Sequence, residues 1–199
     1  MNRRMLILTE GLALWMLFAS AAFAEDKLEG WIKVSSGIRP TDLVVYIANP
    51  SATGKSQIPP AAVLDQRNQT YIPHVLAILK GATVKFQNSD RVTHNVFSLS
   101  PAKPFDVGKI PPEEYRQVTF DKPGIVEVLC GFHSRMLAYV RVMEHPYFAV
   151  PDVEGKFVIN DVPPGTYQLR IWHESLGETA KEMEITVNQN APIRINFPR

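Results

Sequence analysis

Downstream of residue 27 the chain consists of short runs in which apolar and polar residues alternate, and glycine or proline separates the runs. In one run Val126, Val128 and Cys130 share a face, because alternate residues of a strand point to the same side of a sheet. Residues 139–142 alternate in the same way. No stretch carries an apolar stripe with the 3.6-residue period of a helix, and residues 61–65 allow at most a turn. The pattern therefore predicts an all-β protein.

The C-terminal third of the chain has predicted strands of its own. Gly155–Ile159 predicts a strand that follows a turn, and Pro163–Gly165 predicts a tight connection. Further alternating runs follow at Tyr167–Trp172, Met183–Val187 and Ile193–Phe197. Such runs are typical of strands with one buried face, and together they predict a small β-sandwich.

This small sandwich needs more residues than the C-terminal third supplies. The roughly 50 residues after Pro146 are few for an independent hydrophobic core. Strand-like runs at Gly30–Val34 and Leu43–Ile47 lie at the other end of the chain and can complete it.

We therefore expect a discontinuous outer domain of residues 28–50 and 146–199, with a second domain inserted at residues 61–145. Residues 49–60 contain several serines and prolines and a glycine, and they are the expected linker into the insertion. A serial arrangement is the alternative, in which residues 25–145 form one domain and residues 146–199 another.

The N-terminus has the parts of a secretory signal peptide. The start of the chain carries the basic residues Arg3 and Arg4, residues 11–23 are apolar, and Ala22-Phe23-Ala24 forms a small-x-small cleavage site. The apolar run is short for a membrane span, and no later run is long enough, so cleavage of residues 1–24 leaves no span. The protein is therefore expected to be periplasmic or otherwise exported, with an uncleaved N-terminal anchor as the alternative.

The charge of the chain is balanced, with 21 Lys and Arg residues against 20 Asp and Glu residues. Removing residues 1–24 takes away Arg3, Arg4 and Glu10, and the remaining chain is formally neutral. A neutral chain offers no electrostatic reason to expect nucleic acid or a charged membrane as a partner.

The single cysteine of the chain, Cys130, cannot form a disulfide within an exported chain. It is a buried inert side chain, a reactive thiol or a metal ligand. Its neighbours favour a metal ligand, because His133 and Met136 follow closely and His94 lies 36 residues upstream. A thiolate, two imidazoles and a thioether are the ligand set of a type 1 copper site, whereas zinc rarely takes methionine.

The spacing of these residues suits one copper ion. Cys130 ends a predicted strand, and a short loop returns His133 and Met136 to the same point. His94 must arrive from a different strand, because one loop cannot surround the ion. A dinuclear copper site needs a second bridging cysteine, and the chain has none.

The region around these residues resembles the cupredoxins, and its Cys-x-x-His-x-x-Met loop is similar to that of amicyanin-type members. The resemblance covers about residues 70–143 and rests on the segments Cys130–Met136, Thr93–Phe97, Gly81–Asn88 and Pro123-Gly124. It implies a Greek-key β-sandwich in which His94, Cys130, His133 and Met136 bind one type 1 copper ion. It also implies that Asn95 ties the two ligand loops together.

The ligand loop departs from the amicyanin type in its composition. Where that type has prolines, this chain has Gly131, Phe132, Ser134 and Arg135. Arg135 places a cation beside the site, which favours the reduced ion electrostatically.

The outer domain resembles carboxypeptidase regulatory-like domains, which have a transthyretin-like fold. The segments that carry the likeness are Glu154–Phe157, Val162–Tyr167 and Gln168–Arg170. The resemblance implies a small β-sandwich that serves as a binding or spacing module, and it implies no chemistry.

The resemblance to cupredoxins implies a carrier of single electrons and not an enzyme. Oxidases and reductases need a second copper cluster, and two of the five histidines are already used. The ring edge of His133 is the expected electron exit, with Phe132 and Leu137 in an apolar docking patch, and the expected redox partner is a c-type cytochrome or a periplasmic dehydrogenase. The alternative is a copper-binding or structural module whose outer β domain recognises a protein or a glycan.

Three further histidines are interpreted as structural. His74 lies on a strand-like run, His145 precedes a proline at the domain junction, and His173 stands between Trp172 and Glu174 at a strand end. Packing and solvation account for each of them without a ligand; for His173 the alternative is that it docks a partner or approaches the inserted domain.

Overall fold

The computed structural model of the protein describes residues 27–50, 61–177, 181–187 and 192–197. The predicted signal peptide, residues 1–24, and residues 51–60 of the predicted linker lie outside these ranges. No helix among the described residues is long and apolar enough to cross a membrane.

Strands make up most of the described chain, and its helical elements are two short 3-10 turns at Pro40–Asp42 and Glu174–Leu176. The first two strands are β1 (Leu28–Val34) and β2 (Val44–Ile47). The next nine are β3 (Ala62–Arg67), β4 (Thr70–Ile72), β5 (Val75–Leu79), β6 (Thr83–Asn88), β7 (His94–Ser98), β8 (Phe105–Ile110), β9 (Tyr115–Thr119), β10 (Gly124–Leu129) and β11 (Leu137–Met143). The last five are β12 (Phe148–Ala149), β13 (Lys156–Ile159), β14 (Gly165–Trp172), β15 (Lys181–Val187) and β16 (Ile193–Phe197). The prediction of an all-β protein is confirmed.

Strands β3 to β11 form one sandwich, which we call the inner sandwich. Its sheets have the strand orders β5-β11-β10-β7-β8 and β4-β3-β6-β9. Their facing side chains form one hydrophobic cluster, in which Phe86 and Phe120 are fully buried. Val126 and Val128 of β10 are buried in this cluster, and Glu127 between them is exposed. The alternation along this run is therefore the alternation between the core and the outer face of the sheet.

Strands β1, β2 and β12 to β16 form a second sandwich, which we call the outer sandwich. Its sheets have the strand orders β13-β1-β16 and β12-β2-β14-β15. Strand β1 is antiparallel to β13 and parallel to β16, and β2 lies antiparallel between β12 and β14. The backbone amide of Ile47 donates to the carbonyl of Tyr147 at 3.1 Å. The chain therefore leaves and re-enters the outer sandwich at neighbouring positions.

A third, smaller hydrophobic cluster joins the two sandwiches. Val44, Tyr46 and Trp172 contribute to it from the outer sandwich, and Val75 and Met143 contribute from the inner one. All five side chains are buried. Burial of this apolar surface holds the outer sheet of β2 and β14 against the outward face of β5 and β11.

One segment differs from the prediction. Residues 61–65 were expected to form at most a turn, but Ala62–Arg67 is a strand. It lies parallel to β6, with Leu64 opposite Phe86, and both Leu64 and Gln66 are fully buried. The local sequence is not strongly alternating, and pairing with β6 determines its conformation.

Candidate metal centre

The first predicted ligand, His94, is the first residue of β7 and is fully buried. The loop that precedes it is held by Asn88, whose side-chain amide donates to the carbonyls of Val92 at 2.9 Å and Ile110 at 2.8 Å. The Asn88 side-chain oxygen accepts from the backbone amide of Asp90 at 2.9 Å. These three bonds satisfy a fully buried amide and fix the turn from which His94 emerges.

The other predicted ligands lie on the loop between β10 and β11. Cys130 directly follows β10 and is 7% exposed, so its sulfur position is set by a buried strand. The backbone amide of Met136 donates to the carbonyl of His133 at 3.0 Å and closes the loop into a turn. Met136 is 1% exposed and belongs to the same hydrophobic cluster as Cys130. Cys130 therefore comes from the end of a strand, His133 and Met136 come from the loop, and His94 comes from a neighbouring strand.

The donor atoms of His94, Cys130 and His133 form a compact triangle. The two Nδ1 atoms are 3.1 Å apart, and the Cys130 Sγ lies 3.7 Å from the Nδ1 of His94 and 3.8 Å from that of His133. The point equidistant from the three atoms is about 2.1 Å from each of them, close to the usual metal–imidazole distance of about 2.0–2.1 Å. Among the residues that the structure describes, they are the one group of three or more such donors within metal-binding range. The residues present fit a metal ion.

Asp90 determines which nitrogen of His94 is free to bind a metal. Its Oδ2 lies 3.1 Å from the Nε2 of His94 and accepts from the backbone amide of Gln69 at 2.7 Å. The Gln69 amide, with the Arg91 amide and His94 contributing less, lowers the pKa of Asp90 below its ordinary value. An ionised carboxylate can only accept hydrogen bonds, so the Nε2 of His94 carries the proton and its Nδ1 keeps a lone pair. Such carboxylate–histidine pairs commonly orient metal ligands.

Asn95 connects the two ligand loops, as the resemblance implies. Its side-chain amide donates to the Asp106 carboxylate at 2.8 Å and to the Gly108 carbonyl at 3.2 Å. Its side-chain oxygen accepts from the backbone amide of Gly131 at 3.2 Å. A Cβ atom on Gly131 would lie 2.8 Å from that oxygen, so any larger residue after Cys130 would force the Asn95 side chain or the loop to shift.

Tyr71 supports the cysteine strand from the opposite sheet. Its hydroxyl donates to the carbonyl of Leu129 at 3.0 Å, one residue before Cys130, and its ring is 1% exposed. Burial, with a smaller contribution from the nearby Cys130, raises the pKa of Tyr71. The phenol therefore stays protonated and keeps its hydrogen bond.

Sequence reasoning did not identify Asp90, Asn88 or Tyr71 as part of the site. Asp90 stands four residues before His94, and this spacing is the only local signal that was available. Asn88 was noted within a resembling segment without a role, and the contact of Tyr71 depends on a strand from the other sheet.

The surface of the centre is formed by the ligand loop. His133 is half-buried, Phe132 is 51% exposed, and Arg135 is exposed. The ammonium of Lys109 lies 5.9 Å from the centre of the Phe132 ring. Leu137, predicted to share an apolar patch with Phe132, is half-buried at the start of β11. The surface of the centre therefore has one exposed aromatic ring with a lysine ammonium near it, and the ligand loop also carries the exposed Arg135.

The remaining histidines lie outside the donor triangle. The Nδ1 of His173 accepts from the backbone amide of Ser175 at 3.1 Å and caps the second 3-10 turn. His74 lies 3.1 Å from both the Leu137 carbonyl and the Glu174 carboxylate. His145 is half-buried, and burial lowers its pKa. Each has a structural setting within the described part of the chain.

The solved structures to which this chain is similar include a purple cupredoxin, a copper-containing nitrite reductase and amicyanin. A purple cupredoxin from Nitrosopumilus maritimus is 24% identical over 41% of this chain and 99% of its own, with a TM-score of 0.38. A copper-containing nitrite reductase from Thermus scotoductus is 26% identical over 57% of this chain and 28% of its own, with a TM-score of 0.42. A reduced variant of amicyanin is 23% identical over 50% of this chain and 98% of its own, with a TM-score of 0.40.

No protein-family model matches the chain, and no curated protein matches it. The three TM-scores are below 0.5, so the interpretation of the site rests on its own geometry. That geometry defines a buried centre with one thiol and two imidazoles, a donor set that suits soft or borderline transition metals.

Proposed function

We propose that the protein is a type 1 copper protein that passes single electrons, with its ion held by His94, Cys130, His133 and Met136. The donor triangle carries this proposal, because one thiolate and two imidazole nitrogens surround a point at metal-binding distance. A buried methionine at the end of the same loop favours copper over zinc. Bound there, copper supplies a reversible one-electron change.

The surrounding residues hold these donors in place, so the metal ion does not have to move them when it binds. Asp90 fixes the tautomer of His94, and Asn95 clasps the loop that carries His133. Burial of Cys130 and Met136 keeps water from the thiolate. A site whose ligands are held by the protein changes little when the charge of the ion changes, which favours rapid electron transfer.

The half-buried ring of His133 is the proposed electron exit. Its sequence neighbour Phe132 has an exposed ring that offers a small apolar contact, and the Lys109 ammonium lies 5.9 Å from the centre of that ring. Arg135 is exposed on the same loop. Contacts of this size are typical of transient redox complexes. A c-type cytochrome or a periplasmic dehydrogenase is the proposed partner, and the protein is proposed to carry electrons without being an enzyme.

The proposed domain organisation is a copper domain at residues 61–145 inserted into an outer domain of residues 28–50 and 146–199. Support comes from the pairing of β1 with β13 and β16, and from a hydrophobic cluster built from residues 28–47 and 147–197. We assign the outer domain to the transthyretin-like, carboxypeptidase regulatory-like class from the motifs in its sequence. Cleavage of residues 1–24 and export to the periplasm complete the proposal.

Titration of the purified protein with Cu(II) tests the proposed function. We expect an intense visible absorption from thiolate-to-copper charge transfer, reversible bleaching by a mild reductant, and loss of the colour in Cys130→Ser. Ser134→Ala, a change of an unliganded residue of the same loop, is the matched control and should keep the colour. A colourless complex, or colour that survives in Cys130→Ser, contradicts the proposal. Correct colour with slow electron exchange to every cytochrome tried favours a copper-binding module whose outer domain recognises a protein or glycan.

A further inference from the structure

A cleft of about 390 Å³ lies where the inner sandwich meets the outer one. One wall is the outward face of β10, where Ile125 and Leu129 flank Glu127, and Leu99 stands at the rim. Leu99 is 79% exposed, so the rim is open to solvent. The cleft is as large as many ligand sites and mixes apolar walls with a few polar groups, as such sites do.

The cleft also has an aromatic part, in which Tyr139 of β11 stands directly beside Glu127 of β10 in the same sheet. Tyr139 and Trp172 both line it, with their ring centres 5.6 Å apart and their planes at 67°. The Trp172 indole donates to the carbonyl of Gly177 at 2.7 Å, which fixes the ring. Aromatic faces attract cations, and rigid rings lose little entropy when they bind one.

Two carboxylates, from Glu127 and Glu174, also line the cleft. Glu174 is held at 3.1 Å from the Nε2 of His74. Burial raises the pKa of Tyr139 to about 12, with contributions from Glu174 and then Glu127, so both carboxylates lie near this phenol. The carboxylate of Glu127 forms no ion pair with any residue that the structure describes.

The charge in the cleft is therefore unbalanced. No lysine or arginine is among its lining residues in the described chain. Even when His74 is protonated and neutralises Glu174, the charge of Glu127 remains. Glu127 and Glu174 also form no metal-binding group with a third donor among the described residues, so a divalent metal ion is poorly matched to the cleft.

We infer that this cleft binds a primary ammonium group carried on an alkyl chain. The ammonium has three donors for the Glu127 and Glu174 carboxylates, and the half-buried Tyr139 ring offers it a cation–π face. Trp172, which is 1% exposed, packs against the Tyr139 ring and supports it. The apolar side chains of Ile125 and Leu129 cover the alkyl chain. A free alkylamine and the lysine side chain of a partner protein share this chemistry.

Calorimetric titration of the purified protein with n-butylammonium tests the inference, with 1-butanol as a neutral probe of the same shape and ammonium as the charge without the chain. We expect saturable binding of n-butylammonium, and binding of the other two that is about tenfold weaker or more. Glu127→Gln should weaken n-butylammonium binding about tenfold. Glu184→Gln, the same change on the exposed face of β15, should leave it unchanged.

A second titration distinguishes a free alkylamine from the lysine side chain of a partner protein as the ligand. Nα-acetyl-lysine N-methylamide presents a lysine side chain as it occurs in a protein. If it binds as tightly as n-butylammonium, the cleft accepts a partner's lysine; if only n-butylammonium binds, the ligand is a free amine. Equal binding of 1-butanol and n-butylammonium, no binding of either, or an unchanged Glu127→Gln variant overturns the inference. None of these measurements depends on copper, so their failure leaves the proposed function untouched.

Discussion

Replacement of Asp90 by asparagine is the most direct test of how the protein orients His94 before a metal binds. The carboxylate accepts from His94 and from the backbone amides of Gln69 and Arg91. Asparagine keeps one oxygen and turns the other into a donor, so at least one of these N–H groups faces a donor. A lost hydrogen bond to a charged group costs about 1.5–3 kcal/mol, and we expect the free energy of unfolding of the copper-free protein to fall by this amount.

The affinity for copper should fall as well, because His94 loses the partner that fixes its tautomer. Loss of such a partner typically lowers metal affinity about 10–100-fold, equivalent to about 1.4–2.7 kcal/mol. Competition for Cu(I) with a coloured chelator measures this change. Asp65→Asn is the control, since Asp65 also accepts from a nearby backbone amide, that of Ser89 at 3.2 Å.

The pH dependence gives a second readout of the same carboxylate. The pKa of Asp90 is lowered in the folded state, so its stabilising contribution is complete above the unfolded value of about 3.9 and is lost as the pH falls through the lower folded value. The stability difference between the copper-free wild type and Asp90→Asn should therefore shrink below about pH 4. Asp90→Asn with wild-type copper affinity, or Asp65→Asn with an equal loss, would refute this account of Asp90.

Three further substitutions test one proposed ligand and two neighbours of the centre. Gly131→Ala brings a Cβ to 2.8 Å from the Asn95 side-chain oxygen, so it should lower the free energy of unfolding by about 1–3 kcal/mol and weaken copper, as denaturant unfolding and chelator competition will show. Tyr71→Phe removes the bond to the Leu129 carbonyl and should cost about 1–3 kcal/mol in urea unfolding with no loss of the copper colour. Met136→Leu conserves volume and should cost less than about 1.5 kcal/mol of stability; an unchanged charge-transfer spectrum in this variant would exclude Met136 as a ligand.

The sequence was informative where the determinants are local. The order of Cys130, His133 and Met136 is a property of one loop, and the alternation along β10 follows from one buried face. The donor triangle needed only one further residue, His94, whose neighbour Asn95 belongs to a recognisable segment.

The determinants that the sequence concealed are contacts between distant strands. Strand β3 exists because Leu64 and Gln66 are buried when it pairs with β6, and its own residues do not alternate clearly. Tyr71 reaches the cysteine strand from the opposite sheet, 58 positions before Leu129. The cleft that contains Tyr139 and Glu174 forms only when the two sandwiches meet, so no single segment signals it.

The contact between Ile47 and Tyr147 has a consequence for the order of events during synthesis. Strand β1 pairs with β13, so Leu28 cannot pair until Ile159 has been synthesised. For most of translation β1 and β2 therefore have no partner strands. Once the inner sandwich has formed, the roughly 100 residues between Ile47 and Tyr147 act as a short connector. Halving the effective loop length about three times lowers the entropic cost of closing the loop by about 2 kcal/mol. Folding of the inner sandwich is thus expected to bring the two parts of the outer sandwich together. Variants that slow this folding should leave β1 and β2 unpaired for longer and prone to aggregation.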